Sequence, residues 1–244
     1  MQWKCTCAFE GGEFNGWQSQ ADGSGVQDVI EKCLARILKQ PVRIHGSSRT
    51  DAGVHARRFV FHFNAEWRHS TGALLAALRT GLPPAVLVYA ARRAPAGFHA
   101  RFSATGKRYV YYLYEGIPLP FDARYCVACP AGLNACAMMS AAARLTGCRD
   151  FAAYSAESGE AKENTVRDLR RLEVVRRGRR VRIIAEADGF LYKMARSLAG
   201  ALIRVGEGKL SASRAVELLE TGLRTHEIPT APARGLFLER VFYG

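Results

Sequence analysis

No apolar run in this sequence approaches the roughly 20 residues that a membrane-spanning helix needs, so no bilayer-embedded helix is expected. The chain also lacks a Gly-rich dinucleotide or P-loop signature, which argues against chemistry carried by a bound nucleotide. The N-terminal residues Met1-Gln2-Trp3-Lys4-Cys5-Thr6-Cys7 hold no long apolar stretch, so a secretory signal is not expected and a reducing, cytoplasmic compartment is. Seven cysteines cannot all pair with one another and fit reduced thiols better than a disulfide framework. Cys126 and Cys129 are close, but Cys136 and Cys148 have eleven residues between them. Structural zinc takes two close ligand pairs, so no metal is expected. Acids are scarce as well. Asp and Glu total 22 against 35 Lys and Arg, giving a formal charge of +13 and a pI near 9.8. An excess of that size points to a polyanionic partner, nucleic acid before an acidic membrane surface.

What is present suffices for a folded core. The chain has 244 residues, 48% of them hydrophobic, enough for one large domain or two small ones. Residues 3–9 alternate as a strand. From Val26 apolar residues recur at helical spacing, with Cys33 on the apolar face. Strands are expected near 42–47 and 57–64, a helix over 71–80 closed by Gly81 and Pro83-Pro84, and a strand over 85–92. That order, β-α-β-β-α-β, is the ferredoxin-like split unit. The second half suggests the same order again: a strand at 106–115, a helix at 132–146 and strands at 166–176 and 180–187. Helices at 190–204 and 211–221 and a strand at 236–242 follow. The fold class expected is therefore α+β, with units at 1–100 and 101–244. The polar segment 149–164 reads as a mobile loop.

Between the second and third strands lies Arg49-Thr50-Asp51-Ala52-Gly53-Val54-His55-Ala56. A loop held by a rigid sheet is where a reacting side chain is exposed yet fixed, and Gly53 permits a turn there. An isolated Asp-x-Gly usually does no more than shape a turn. Eight contiguous residues ask for more, and they resemble the active-site motif of the tRNA pseudouridine synthase A family. Further strings resemble the family's motifs in the family's order: Gly16-Trp17-Gln18-Ser19-Gln20 with Val26-Gln27, then Phe98-His99-Ala100-Arg101-Phe102-Ser103-Ala104 with Lys107-Arg108-Tyr109-Val110-Tyr111. Gly189 to Arg196 and Arg234-Gly235-Leu236-Phe237-Leu238 complete the series. The chain departs from the pattern at Ser47 and Ser48, where small residues such as Ala-Gly are usual, and at Arg58 and Phe59, where Gly and Gln are common. Those departures bear on the rim expected to contact RNA.

The resemblance implies two ferredoxin-like units whose mixed, mainly antiparallel sheets join around an RNA-binding cleft. It also implies a homodimer acting on tRNA, at uridine 38, 39 or 40 of the anticodon stem-loop. The reaction breaks the N1–C1′ bond, rotates the uracil and rejoins it through C5, without redox change, metal or cofactor. Asp51 is implied as the nucleophile. The residue types leave open attack on C1′, attack on C6, or deprotonation of the sugar. A base within a stem must be extruded first, and Arg49 is placed to fill the gap or hold a phosphate. Tyr109 is expected to stack on the flipped uracil, although its neighbours Tyr111, Tyr112 and Tyr114 equally suit a core aromatic. Arg101, Lys107 and Arg108, basic residues within the motifs, are expected to bind the RNA. By helical phase Arg196 faces away from the seam Met194, Leu198, Ala201, Leu202 and Val205, and it is expected to meet Asp51 and keep it ionised. His55 and His99 are read as structural hydrogen-bonders.

Two other classes deserve weight. Composition alone favours a basic RNA-binding module without catalysis, against which stands the intact set Asp51, Tyr109 and Arg196. A glycosidase-like hydrolase usually needs two carboxylates flanking its bond. The motif loop offers one, and the nearest later acid is Glu66.

Overall fold

A computed structural model describes residues 1–157 and 164–244. The chain divides into two compact units, Met1–Thr105 with Phe237–Gly244, and Gly106–Leu236.

The first unit opens with β1 (Gln2–Phe9), then α1 (Val26–Leu38), β2 (Ile44–Gly46), β3 (His55–Asn64), α2 (Thr71–Gly81) and β4 (Val86–Arg93). This is the β-α-β-β-α-β order. Strand β1 lies between β4 and β3, antiparallel to both, and β2 pairs antiparallel with β3 at Phe61–Phe63. One face of the sheet carries Trp3, Cys5, Cys7 and Phe9 of β1 with Phe59, Phe61 and Phe63 of β3, all buried. Ile30, Cys33 and Leu34 of α1 and Leu74 and Leu78 of α2 are buried as well. Cys33 thus belongs to the core, as its helical phase requires. Removing one such phenylalanine side chain would cost about 3–5 kcal/mol, because a rigid core cannot collapse around the void.

Capping explains where the helices start. Asp28 accepts from the Gly25 and Gln20 backbone amides at 3.0 Å each and from the Ser19 hydroxyl at 2.5 Å. Burial opposes its charge, but these bonds win, and its pKa is lowered. Ser70 caps α2 by accepting from the Ala73 amide.

The second unit holds most of β5 (Ala104–Glu115), then α3 (Pro120–Ala123), β6 (Val127–Cys129), α4 (Ala135–Leu145) and β7 (Gly147–Asp150). After these come β8 (Val166–Arg177), β9 (Arg180–Ala187), α5 (Met194–Gly206) and α6 (Ala212–Glu220). Strands β5, β9, β8 and β7 pair antiparallel in that order, and β6 pairs parallel with β5. Strand β10 (Leu236–Tyr243) starts in this unit and continues in the first, pairing parallel with the start of β3 through Phe237 and Leu238. Within each unit the strands pair mainly antiparallel with one parallel pair, and the fold is α+β.

Several expectations change in detail. Strand β2 is only three residues long and β3 starts at His55, so the motif loop spans residues 47–54 and the octet's last two residues are already strand. Helix α4 starts at Ala135, where Asn134 caps the Ala137 amide. Helix α5 starts at Met194 and not at 190, because Lys193 takes a left-handed conformation (φ 57°) that ends the preceding turn. The segment 149–164 is not one mobile loop. Arg149 and Asp150 belong to β7, Ala152–Tyr154 form a 3₁₀ turn, and Phe151 and Tyr154 are fully buried. Ser155 is buried too, while Ser158 and Gly159 lie outside the described residues.

Candidate active site

Asp51 opens a four-residue turn in which the Val54 amide donates to the Asp51 carbonyl at 3.1 Å. The third residue of the turn, Gly53, has φ 79°, a value that strongly favours glycine. The turn leaves Asp51 half-buried and Arg49 exposed.

The loop is braced from behind by the Gly-Trp-Gln segment. Trp17 donates its amide to the Thr50 carbonyl at 3.2 Å. Gly16 packs so near this backbone that an added Cβ would stand 2.4 Å from the Thr50 carbonyl oxygen. The Trp17 ring stacks on Phe59 at 3.9 Å between centroids, fixing the brace to β3. Gln27 ties it to α1 and β2: its amide donates to the Trp17 carbonyl, its side-chain oxygen accepts from the Ser19 amide, and its side-chain nitrogen donates to the Ile44 carbonyl. The motif residues around 16–27 therefore brace the backbone next to Asp51.

Two of the departures from the family pattern are core residues and not part of an exposed rim. Phe59 is the plate beneath Trp17. Ser47 is fully buried, where its hydroxyl accepts from the Val60 amide at 3.4 Å and hydrogen-bonds the Tyr243 hydroxyl. Ser48 is half-buried and Arg58 exposed.

Arg101 is exposed on a second turn of the same unit, residues 98–103. Its amide donates to Nδ1 of His99, and the Ala100 amide donates to Nδ1 of His62. His55 is buried, accepts from the Gly11 amide at 3.0 Å and stacks on Phe237 at 4.5 Å. Both His55 and His99 thus hydrogen-bond the backbone.

In the second unit, Tyr109 is 6% exposed and meets Phe190 edge-on at 4.9 Å. Tyr111, on the same face of β5, is 1% exposed and donates to the Pro232 carbonyl at 2.8 Å, and burial raises its pKa well above the ordinary value. Both tyrosines are buried. Arg108 is bound to Glu186 through two nitrogens, at 2.8 and 2.6 Å, and Lys107 is half-buried beside it on β5. Arg196 is half-buried in the first turn of α5, where its Nε donates to the Ala231 carbonyl at 2.7 Å. The candidates fall into two groups: Arg49, Asp51 and Arg101 in the first unit, and Lys107, Arg108, Tyr109 and Arg196 in the second.

Two residues near these positions escaped sequence reasoning. Phe190 sits inside a recognised motif, so its aromatic character was a usable clue. Tyr243 is seven residues from Leu236 and lies in no motif.

The Cys126 and Cys129 thiols are buried and donate to the Asp122 and Tyr114 carbonyls, and burial holds the Cys129 pKa up at about 11. Among the described residues no group of three or more His, Cys, Asp or Glu is placed to hold a metal ion, and no helix is long and apolar enough to cross a membrane.

Comparison with known proteins supplies the decisive observation. The family profile described as tRNA pseudouridine synthase matches residues 141–244. A tRNA pseudouridine synthase A from Paramagnetospirillum magneticum is 39% identical over 237 residues, covering 96% of this chain and 92% of that protein. One from Geobacter sulfurreducens is 38% identical over 241 residues, covering 98% of each chain. One from Thermodesulfovibrio yellowstonii is 35% identical over 250 residues, again covering 98% of each. The chain belongs to the tRNA pseudouridine synthase A family.

Proposed function

We propose that this chain isomerises uridine to pseudouridine in tRNA, at position 38, 39 or 40 of the anticodon stem-loop, with Asp51 as the group that attacks the reacting nucleoside. The observation that carries this reading is the Asp51 turn: Gly53 allows it, Gly16 and Trp17 brace it, and it stands in a chain of this family. The substrate nucleotide is extruded from its stem, at a few kcal/mol. The N1–C1′ bond breaks, the uracil turns, and C5 bonds to C1′ while its proton leaves and N1 gains one. Atoms and electrons balance, so no oxidant, metal or cofactor enters. Tyr109 presents its ring and hydroxyl to the uracil, and Arg196 supplies a fixed cation at the reaction centre. Arg49, Arg101, Lys107 and, in part, Arg108 take the phosphates. The working form is a cytoplasmic homodimer.

The test is to incubate the purified protein with unmodified tRNA transcript and map pseudouridine, alongside Asp51→Ala and Asp51→Asn. Loss of a nucleophile costs about four orders of magnitude or more in turnover, while RNA binding should survive because the basic surface is untouched. Turnover by either variant at near wild-type rate would remove Asp51 from the mechanism. Tight tRNA binding without any product would instead mark the wild type as a non-catalytic binder.

A further inference from the structure

Phe102 is 76% exposed, although the turn that carries it, residues 98–103 of the first unit, is held by several hydrogen bonds. A scattered exposed apolar side chain is ordinary on a protein surface, so exposure alone says little. What surrounds Phe102 says more.

The turn 98–103 directs its backbone inward. The Arg101 and Phe102 amides both donate to Nδ1 of His99, at 3.1 and 3.3 Å. The His99 amide donates to the Ser103 hydroxyl, and the Ser103 amide returns to the His99 carbonyl, both at 2.9 Å. Ala100, fully buried, donates its amide to Nδ1 of His62 at 3.1 Å and accepts from the Tyr243 hydroxyl at 2.8 Å. A turn so held fixes the backbone positions from which Arg101 and Phe102 project.

The rings beside Phe102 form a cluster around the buried His62. His45 stacks on His62 at 5.0 Å, His62 meets His99 edge-on at 4.7 Å, and His99 lies against Phe102 at 4.3 Å and 30°. Phe102 belongs to this cluster, and its ring is largely open to solvent. The Arg101 guanidinium lies over the ring, 5.6 Å from its centroid, so a cation adjoins the exposed aromatic surface. An exposed aromatic face beside an arginine, on a chain of charge +13, has the composition of a base-stacking site. Preorganisation matters too, because the backbone of the turn is already ordered before RNA binds.

We propose that Phe102 is a stacking platform for an unpaired base of the RNA substrate, with Arg101 holding the adjoining phosphate. The proposal rests on the reading of this chain as a tRNA-modifying enzyme and adds to it a contact that acts in binding and not in the chemical step. Every base has a π face, so the platform tolerates any sequence and discriminates unpaired from paired RNA.

The test measures binding of unmodified tRNA transcript at fixed salt by Phe102→Ala, Phe102→Leu, Phe102→Tyr and Phe102→Trp, each also placed in the Asp51→Ala background so that turnover does not interfere. Since Phe102 is exposed, all four should melt with the wild type. Phe102→Ala and Phe102→Leu should weaken binding roughly 5- to 150-fold, whereas Phe102→Tyr and Phe102→Trp stay within about 3-fold of wild type. The added indole fluorescence of Phe102→Trp should be quenched by RNA. In the catalytically intact background the loss should appear in KM with kcat kept. Phe102→Leu binding as well as Phe102→Tyr would overturn the platform, because an apolar contact without a π face would then suffice. Undiminished binding by Phe102→Ala would overturn it as well, and so would a change of oligomeric state in sedimentation, which would assign the residue to a contact between copies. Failure of the wild type to bind tRNA at all would overturn both this proposal and the functional reading. Normal turnover with unchanged Phe102→Ala binding removes the platform alone.

Discussion

Gly16 stands directly behind Thr50, and a Cβ at position 16 would lie 2.4 Å from the Thr50 carbonyl oxygen and 3.3 Å from the Ala52 amide nitrogen. Its φ of 84° adds backbone strain to any replacement. Gly16→Ala is therefore expected to cost about 1–3 kcal/mol of stability. The backbone that must yield is the one carrying Asp51, so turnover should fall further than stability does. A displacement near 1 Å at a reacting group is worth about 100-fold in rate. Gly12→Ala is the control, since its nearest neighbour is a Glu10 side-chain oxygen at 3.8 Å. Melting temperature together with kcat and KM for the two variants decides the matter: full turnover by Gly16→Ala would show that the brace does not set the nucleophile.

The loop and its brace differ in how legible they are in sequence. Alternation marked β1, β3 and β5, because a half-buried strand tends to alternate, and the octet could be placed between strands for that reason. The role of Gly16-Trp17 could not be read this way. Thr50 and Trp17 meet only after α1 returns the chain, and nothing in their spacing encodes a contact 33 residues apart. Strands β6 and β7 are three and four residues long, too short to show a period. The true start of α5 depends on a left-handed Lys193, which no periodicity predicts. The series His45, His62, His99 and Phe102 draws on three separate segments, so it exists only in the folded chain.

The histidine series makes stability depend on pH. His62 is buried on β3 beside His45 of β2 and His99 of the 98–103 turn, and opposite Lys4 of β1. Lys4 has its own pKa lowered by burial and by Arg92, and Arg101 stands beside His99. Burial first, then His99 and His45, hold the His62 pKa down to about 4, against a hydrogen bond to the His45 backbone that pulls the other way. The neutral ring is the native form, since Nδ1 must accept the Ala100 amide. The unfolded chain takes up this proton near pH 6.5, before the folded chain does. The contribution is therefore complete above about pH 7, is lost as pH falls from 6.5 to 4, and is flat below that, amounting to roughly 2–3 kcal/mol. His62→Asn keeps an acceptor near the Nδ1 position without titrating. Urea unfolding at several pH values should show the wild type losing stability across this window and His62→Asn losing less. Parallel profiles for the two proteins would remove His62 from the account.

Binding of tRNA should be strongly salt-dependent. Lys and Arg contacts release counterions, and with roughly 5 phosphates neutralised log K should fall against log salt with a slope of about −3.5 to −4.5. Arg101→Ala should reduce that slope by about 0.7–0.9, one phosphate's share, while Phe102→Ala leaves it unchanged. Arg108→Ala should change it less, because that guanidinium is bound to Glu186. Titrations from low to high salt by fluorescence anisotropy measure all of these, and a flat wild-type response would mean that the +13 charge does not hold the substrate.

Arg196 lies in the first turn of α5, the end of a helix where a positive charge works against the backbone dipole by about 0.3–1 kcal/mol. Its position is thus not one that helix stability selects. The structure compensates by fixing the side chain: Nε donates to the Ala231 carbonyl at 2.7 Å, and the Ala231 amide donates to the Arg196 carbonyl at 3.1 Å. Removing the guanidinium gives up the hydrogen bond to Ala231, worth about 0.5–1.5 kcal/mol, and relieves the opposed dipole. If Arg196 acts in the reaction, Arg196→Met should lose far more turnover than its change in melting temperature accounts for. Arg196→Lys retains the charge but has neither the planar fork nor the Nε donor that aims it. It should recover only part of the turnover lost in Arg196→Met, mainly in kcat. The comparison separates a functional cation from a structural one, because a structural role would make turnover follow melting temperature in both variants. Equal turnover by Arg196→Met and Arg196→Lys would show that the charge itself takes no part in the reaction.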